Sequence, residues 1–363
     1  MKRLLPGWVK WPQLDVPLLA ALVLLMGFGL VVLYSASGGS METVYRQGAR
    51  IAIGLVALLV LSQVPPHILR LWSPWLYALG IVLLLATWLF GTGRSTSRWL
   101  DLGLFRFQPS EIMKLAVPMM MAWYLHPRRL PPEPMSILVS TVILLVPAIL
   151  IARQPDLGTA LLVAISGCFV LFLSGLRWRV ILGFAAISAA VAPALWYVMK
   201  DYQKQRVLTF LDPESDPLGT GWNIIQSKIA VGSGGILGKG WLNGTQSRLE
   251  FIPERHTDFI LAVLSEEFGL LGVLGVFAAY LFIAGRGLYI STLARSTYPR
   301  LLAGSLSLTF FVYVLVNAGM VSGLLPVVGV PLPLISYGGT SIVTLLAGFG
   351  ILMSIYGHRN FIR

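Results

Sequence analysis

Apolar residues run through this chain in long blocks, broken only by short polar segments. The blocks fall near 16–35, 49–64, 74–90, 109–125, 136–152, 157–175, 179–199, 258–285, 301–322 and 340–357. A helix crosses a bilayer with roughly 20 apolar residues. The pattern therefore predicts an all-α, polytopic integral membrane protein with about ten transmembrane helices. No repeat or linker divides it, so residues 1–363 read as a single transmembrane domain.

One polar stretch is longer than the rest, residues 200–257, between the seventh and eighth predicted spans. Its Asp212, Pro213, Asp216, Pro217, Gly219 and Gly221 are turn formers. From Trp222 to Val231 the spacing becomes helical, with Trp222, Ile225, Ile229 and Ala230 on one face. This predicts an ordered loop carrying a short amphipathic helix at the membrane interface.

Charge orients the spans. An even number of crossings puts both termini on one side, and if that side is the cytoplasm, so are Arg70, Arg128, Arg129, Arg177, Arg179, Arg286, Arg295 and Arg300. That distribution is what the positive-inside rule asks. Lys2, Arg3 and Lys10 precede the first block without a small-residue cleavage site, as expected of a retained anchor. Apart from Asp15 and Glu133, every carboxylate then lies on the extracytoplasmic side, mixed there with many cations, and the 200–257 loop is extracytoplasmic.

Composition excludes other classes. The chain is 56% hydrophobic and 12% charged, where a soluble domain carries about twice that charge, and its mean hydropathy is +0.79. The net charge of +12 is scattered among apolar blocks, so no basic face exists for nucleic acid. Cys168 is the single cysteine, in an apolar run, and is expected to be buried. Four scattered histidines lack the spacing of a metal site.

Four polar clusters fall on the extracytoplasmic side. The first is Arg94 and Arg98 to Glu111, with Lys114 one turn inside a helix. Pro109 suits the first turn, and Glu111 and Lys114 at i, i+3 can pair. The second is Arg153 to Thr159, in which Asp156 can cap the following helix. The third is Lys228 to Gly244, where glycines around Lys239 would let backbone amides approach an anion. The fourth, Glu254 to Asp258, sets ionisable groups where an apolar span begins, which is costly and makes it a candidate functional site. Asp258 is the candidate base. Structural readings compete: an ion pair for Glu111 and Lys114, capping for Asp156, Thr257 or Asp258, and hydrogen-bonding support for His256. The surplus of arginine and lysine points to a polyanionic ligand such as a phosphorylated lipid head.

The final polar element is Asn317, then Gly323, Leu324, Pro326 and the run Gly329 to Ser341. It closely resembles the signature of the SEDS proteins (shape, elongation, division and sporulation). The resemblance extends through Tyr34 to Ser37, Arg98 with Trp99, Gln108 to Glu111 with Lys114, Gln154 to Thr159, Gly221 to Ser227 and His256 to Ile260. Arg255 before His256 and the compact length are similar to the elongation type more than to the division type.

The resemblance implies a peptidoglycan glycosyltransferase that polymerises lipid II on the outer side of the cytoplasmic (inner) membrane. It further implies a class B penicillin-binding protein as transpeptidase partner, among other membrane proteins of the elongation complex. It makes Asp258 the essential aspartate. Arg98, Trp99, Glu111, Lys114, Lys228, Lys239, Arg255, His256 and Thr257 are then the candidate substrate-binding or supporting residues. Cationic side chains, or a divalent cation such as Mg²⁺, would stabilise the leaving diphosphate. A lipid II flippase and a non-catalytic scaffold for a penicillin-binding protein are the competing classes. A flippase would need a polar path, and outside first-turn positions the spans carry almost no ionisable residues.

Overall fold

The computed structural model describes residues 14–90, 99–101, 106–199, 201–215, 220–248 and 254–359. Thirteen α-helices lie among them: α1 (Val16–Ala36), α2 (Met41–Gln63), α3 (Pro66–Phe90), α4 (Pro109–Leu125), α5 (Pro134–Arg153), α6 (Leu157–Leu173), α7 (Trp178–Val198), α8 (Asp201–Leu211), α9 (Thr220–Ser233), α10 (Thr245–Arg248), α11 (Ile260–Leu293), α12 (Thr297–Val321) and α13 (Thr340–Gly357). A 3₁₀ turn spans Pro213–Ser215, and two-residue strands β1 (Leu100–Asp101) and β2 (Arg106–Phe107) pair antiparallel.

Each of the ten apolar blocks falls on a helix. Seven helices, α1, α2, α3, α5, α11, α12 and α13, are long and apolar enough to cross a membrane. The protein is thus an integral membrane protein. Large apolar side chains on its outside fit a hydrocarbon solvent, for instance Val56, Trp75 and Leu281.

Helices outrun the apolar blocks where hydrogen bonding, not hydropathy, sets the end. α2 starts at Met41 because Ser40 caps it, its hydroxyl accepting from the Thr43 amide at 3.4 Å. α11 runs on to Leu293 past Arg286. That guanidinium lies 2.8 Å from the carboxylate of Asp15, which is wholly buried and also caps α1 by accepting from the Leu18 amide at 3.0 Å. α11 begins at Ile260, so Asp258 sits in the turn ahead of the span and not within it.

Two expectations are corrected, and one competing reading falls away. α9 packs on α11 and α12 through Ile224, Ser227 and Ala230, while Ile229 is 45% exposed, so the buried face is rotated from the one read in the sequence. Cys168 is exposed on α6. Neither Thr257 nor Asp258 caps α11, whose N-cap is Phe259 with no side-chain cap bond.

α11 is interrupted at Gly269, where φ is 63° and ψ −165°. The segment after α9 fills the break. Its amides at Lys239 and Gly240 donate to the carbonyls of Glu266 and Glu267, each at 3.0 Å. Its carbonyls at Gly235 and Ile236 accept from Leu270 and Leu271 at 3.0 and 3.2 Å. The backbone groups that a helix break orphans are therefore satisfied. A Cβ at Gly269 would stand 2.3 Å from the Gly238 nitrogen, and one at Gly238 would stand 2.1 Å from the Glu267 oxygen. Only glycine permits this approach at positive φ.

Candidate active site

One end of the bundle gathers the starts of α4, α6, α11 and α13 and the upper part of α12 around a cavity of about 250 Å³. Glu111 and Lys114 come from the first turns of α4. Their side chains lie 2.6 Å apart and both are largely buried. The Lys114 ammonium also stands 5.1 Å from the Tyr313 ring centroid, a cation–π contact. Asp156 caps α6 through the Thr159 amide at 3.2 Å, and its other oxygen accepts from Gln108 at 2.9 Å. Trp99 and Thr257 line the same cavity.

Asp258 lines it too, from a turn held on both sides. The Asn317 side-chain amide donates to the Asp258 carbonyl and to the Val330 carbonyl, both at 2.8 Å. The Ser336 hydroxyl donates to the Thr257 carbonyl at 2.6 Å and accepts from the Leu332 amide at 2.8 Å. The Tyr337 amide donates to the His256 carbonyl at 2.9 Å, and the two rings meet edge on at 6.0 Å. The Gly329 to Ser341 run is thus the clamp for the His256 to Asp258 turn. His256 supports by its backbone and ring face.

The Asp258 carboxyl is pushed up to about 6. Burial is the main cause, with repulsion from Glu254 in the same direction and attraction to Arg206 of α8 opposing it. A carboxylate tuned near neutrality is a competent proton acceptor.

The other candidates separate. Lys239 is not in the cavity. Its ammonium is 2.7 Å from Glu266, which is wholly buried, and 2.8 Å from the Thr245 hydroxyl. Glu266 also accepts from the amides of Thr245 and Gln246 at 2.8 and 3.1 Å, while Glu267 receives the Ser35 hydroxyl. The glycines around Lys239 serve close packing on α11, so the expected anion cradle there is corrected to a structural latch. Lys228 is exposed on α9 beside Gly323, away from the cavity. Arg255 is half-buried with a nitrogen near Gly38. Arg98 lies outside the described residues.

Sequence reading missed Tyr313 and Asp156 as cavity residues, and Arg206 as the cation facing Asp258. A signal for the first was present: Thr309, Tyr313 and Asn317 recur at i, i+4, i+8 and form a polar stripe down the mostly apolar second half of α12. Among the described residues no group of three or more His, Cys, Asp or Glu could hold a metal ion.

The Asp258 carboxylate thus lines a cavity at one end of a bundle of apolar helices, and sequence comparison gives that bundle a family. The family model for FtsW, RodA and SpoVE, described as a cell cycle protein, matches residues 16–360, and the chain belongs to that family. Peptidoglycan glycosyltransferase MrdB of Escherichia coli is 54% identical over 350 residues, 96% of this chain and 95% of that one. The probable peptidoglycan glycosyltransferase FtsW of Trichlorobacter lovleyi is 35% identical over 356 residues, 94% of this chain and 93% of that one. Among solved structures, a chain in work on the coordination of polymerization and crosslinking by a peptidoglycan synthase complex aligns with TM-score 0.84 and 32% identity, covering 96% of this chain and 99% of that one. The rod shape determining protein RodA of Thermus thermophilus aligns with TM-score 0.74 and 26% identity over 98% and 99%.

Proposed function

We propose that this chain is a peptidoglycan glycosyltransferase of the elongation type, polymerising lipid II with Asp258 as general base. The observation that carries the reading is the clamped Asp258 carboxylate, raised to about 6, facing the Glu111–Lys114 pair across one cavity. The higher identity to MrdB than to FtsW and the likeness to a rod shape determining protein support the elongation type.

In the reaction, the 4-hydroxyl of an acceptor GlcNAc attacks the anomeric carbon of the donor MurNAc. Asp258 takes the hydroxyl proton as the new C–O bond forms, a contribution of roughly 10²- to 10⁴-fold. The bond from the anomeric carbon to the diphosphate breaks, and its electron pair leaves with the polyprenyl diphosphate. Lys114 offsets that charge, and Glu111 orients Lys114. Trp99 and Thr257 supply walls for the sugars. Arg255 and His256 belong to the same outer rim, Arg98 is a further candidate cation for the diphosphate by its chemistry alone, and Lys228 and Lys239 act on the loop. A Mg²⁺ ion would enter as an accompaniment of the diphosphate and add neutralising charge.

We read α4, α6 and α7 as crossings alongside the seven long apolar helices, ten in all. Both termini then lie in the cytoplasm, and the site and the 200–257 loop on the extracytoplasmic side of the inner membrane, where lipid II carries its sugars. Residues 1–363 form one domain. Crosslinking of the product falls to a class B penicillin-binding protein partner, a reading supported by the relative found in a peptidoglycan synthase complex.

The test is polymerisation of labelled lipid II by the purified chain with its partner. Wild type should yield long glycan and Asp258→Asn none. Polymer from Asp258→Asn at the wild-type rate would remove the base assignment, and lipid II movement across vesicles without polymer would favour a flippase.

A further inference from the structure

Resting on that glycosyltransferase reading, the geometry points to the N-terminus of α13, completed by the hydroxyl of Tyr313 and the ammonium of Lys114, as the seat of the donor's diphosphate. α13 is 18 residues long, its N-cap is Gly339, no side chain caps it and its first turn carries no acid. The first amides of a helix have no intrahelical partner and carry the positive end of its dipole, so they bind anions. A Cβ built on Gly339 meets nothing within 4 Å, so space lies open at that helix start. The positions from Gly338 to Ser341 line the cavity that Lys114 and Asp258 line.

The second observation is Tyr313. It is 4% exposed and lines the same cavity, and its hydroxyl, whose polar neighbour Lys114 can only donate, has no acceptor for its own proton. A buried O–H without an acceptor costs about 1–3 kcal/mol. An anion at the α13 terminus would give it an acceptor. The carboxylates of this cavity do not oppose the placement. Glu111 is neutralised by Lys114 at 2.6 Å, Asp156 is engaged by Gln108 and the Thr159 amide, and Asp258 belongs to the acceptor's hydroxyl. Arg50 adds charge behind the turn, donating to the Gly338 carbonyl at 3.4 Å.

Chemistry assigns the site to the donor. The leaving diphosphate hangs directly on the carbon that the acceptor's 4-hydroxyl attacks, so it must share the cavity with Asp258. The acceptor's own diphosphate is separated from that hydroxyl by two sugar rings.

The experiment measures binding of polyprenyl diphosphate, and separately polyprenyl monophosphate, to the purified full chain in lipid nanodiscs. Two variants are compared with wild type. Tyr313→Phe keeps the ring over Lys114 and removes the hydroxyl. Gly339→Asp, at φ −71°, places a carboxylate on the helix start, which stabilises the helix while occupying the anion's place. Each should weaken diphosphate binding at least tenfold, with the thermal midpoint of Gly339→Asp no lower than wild type. Unchanged diphosphate affinity in Tyr313→Phe, or in a stably folded Gly339→Asp, overturns the proposal. Binding is read without turnover, so a wild type that binds diphosphate but makes no polymer refutes only the glycosyltransferase reading. In polymerisation, an acceptor disaccharide lacking a diphosphate should leave both variants defective. Restored rates would move the subsite to the acceptor and overturn the donor assignment.

Discussion

Asn317, in the last two turns of α12, holds the main-chain oxygen of Asp258 at 2.8 Å while the same amide nitrogen holds Val330 at 2.8 Å. One buried side chain thus ties the Asp258 turn to the loop before α13. Asn317→Ala would leave two carbonyls without their donor, at about 1–3 kcal/mol for each that stays dry. We expect a lower thermal midpoint and at least a tenfold loss of kcat, since a base displaced by an ångström loses most of its effect. Polymerisation rates at saturating lipid II, beside a melting curve, check this. A stability loss with normal kcat would mean that Ser336 and Tyr337 suffice to hold the turn.

In its proposed role as base Asp258 works only when ionised, so kcat/KM should rise with pH through about 6 and then level. Glu254→Gln removes a repulsive charge and should move the rise to lower pH, whereas Arg206→Gln removes an attractive one and should move it higher. The same shift bears on stability. A carboxyl whose folded value is raised binds its proton more tightly folded than unfolded, so its stabilising contribution is complete below about 3.8 and lost as pH rises through about 6. Asp258→Asn should therefore raise the melting temperature at pH 7.5 relative to wild type, with no such gain at pH 3.5. A gain equal at both values would exclude burial of the charge as its cause.

The Glu111–Lys114 pair is buried on both sides, 6% and 12% exposed. Removing one partner strands the other's charge, a loss of about 3–5 kcal/mol. Glu111→Gln and Lys114→Met should each melt earlier, and the double variant should recover stability but not polymerisation. Recovery of both would reduce the pair to a structural role.

What the sequence made legible follows from what apolar patterning measures. Each apolar block falls on a helix, and seven of those helices are long and apolar enough to cross a membrane, because a span in hydrocarbon requires continuous apolarity. Glu111 with Lys114, and Asp156 as a cap, were legible because i, i+3 spacing and N-cap chemistry are local. Tyr313 and Arg206 were not, since their importance arises only when α12 meets α4 and α8 comes near the start of α11. Lys239 was misread for the same reason: its partner Glu266 is far along the chain and inside a span. Glycine spacing near a lysine is equally compatible with an anion cradle and with backbone packed on backbone. The break at Gly269 decides for the second, and an apolar block gives no sign of a break within it.

That latch supplies the last prediction. Glu266 is wholly buried and its Oε1 oxygen accepts from the Lys239 ammonium, the Thr245 amide and hydroxyl, and the Gln246 amide. Lys239→Met removes the only cation in that set and leaves a buried carboxylate supported by neutral donors, at about 1.5–3 kcal/mol for the lost charge-assisted bond. The expected outcome is a lower melting temperature and faster protease cleavage within 234–246, with lipid II affinity unchanged at low and high salt. Screening acts on exposed charges, so the stability loss should vary little with ionic strength. Gly269→Ala should do the same by strain, its Cβ falling 2.3 Å from the Gly238 nitrogen at φ 63°. A salt-dependent fall in lipid II affinity for Lys239→Met, with normal melting, would return that lysine to the substrate.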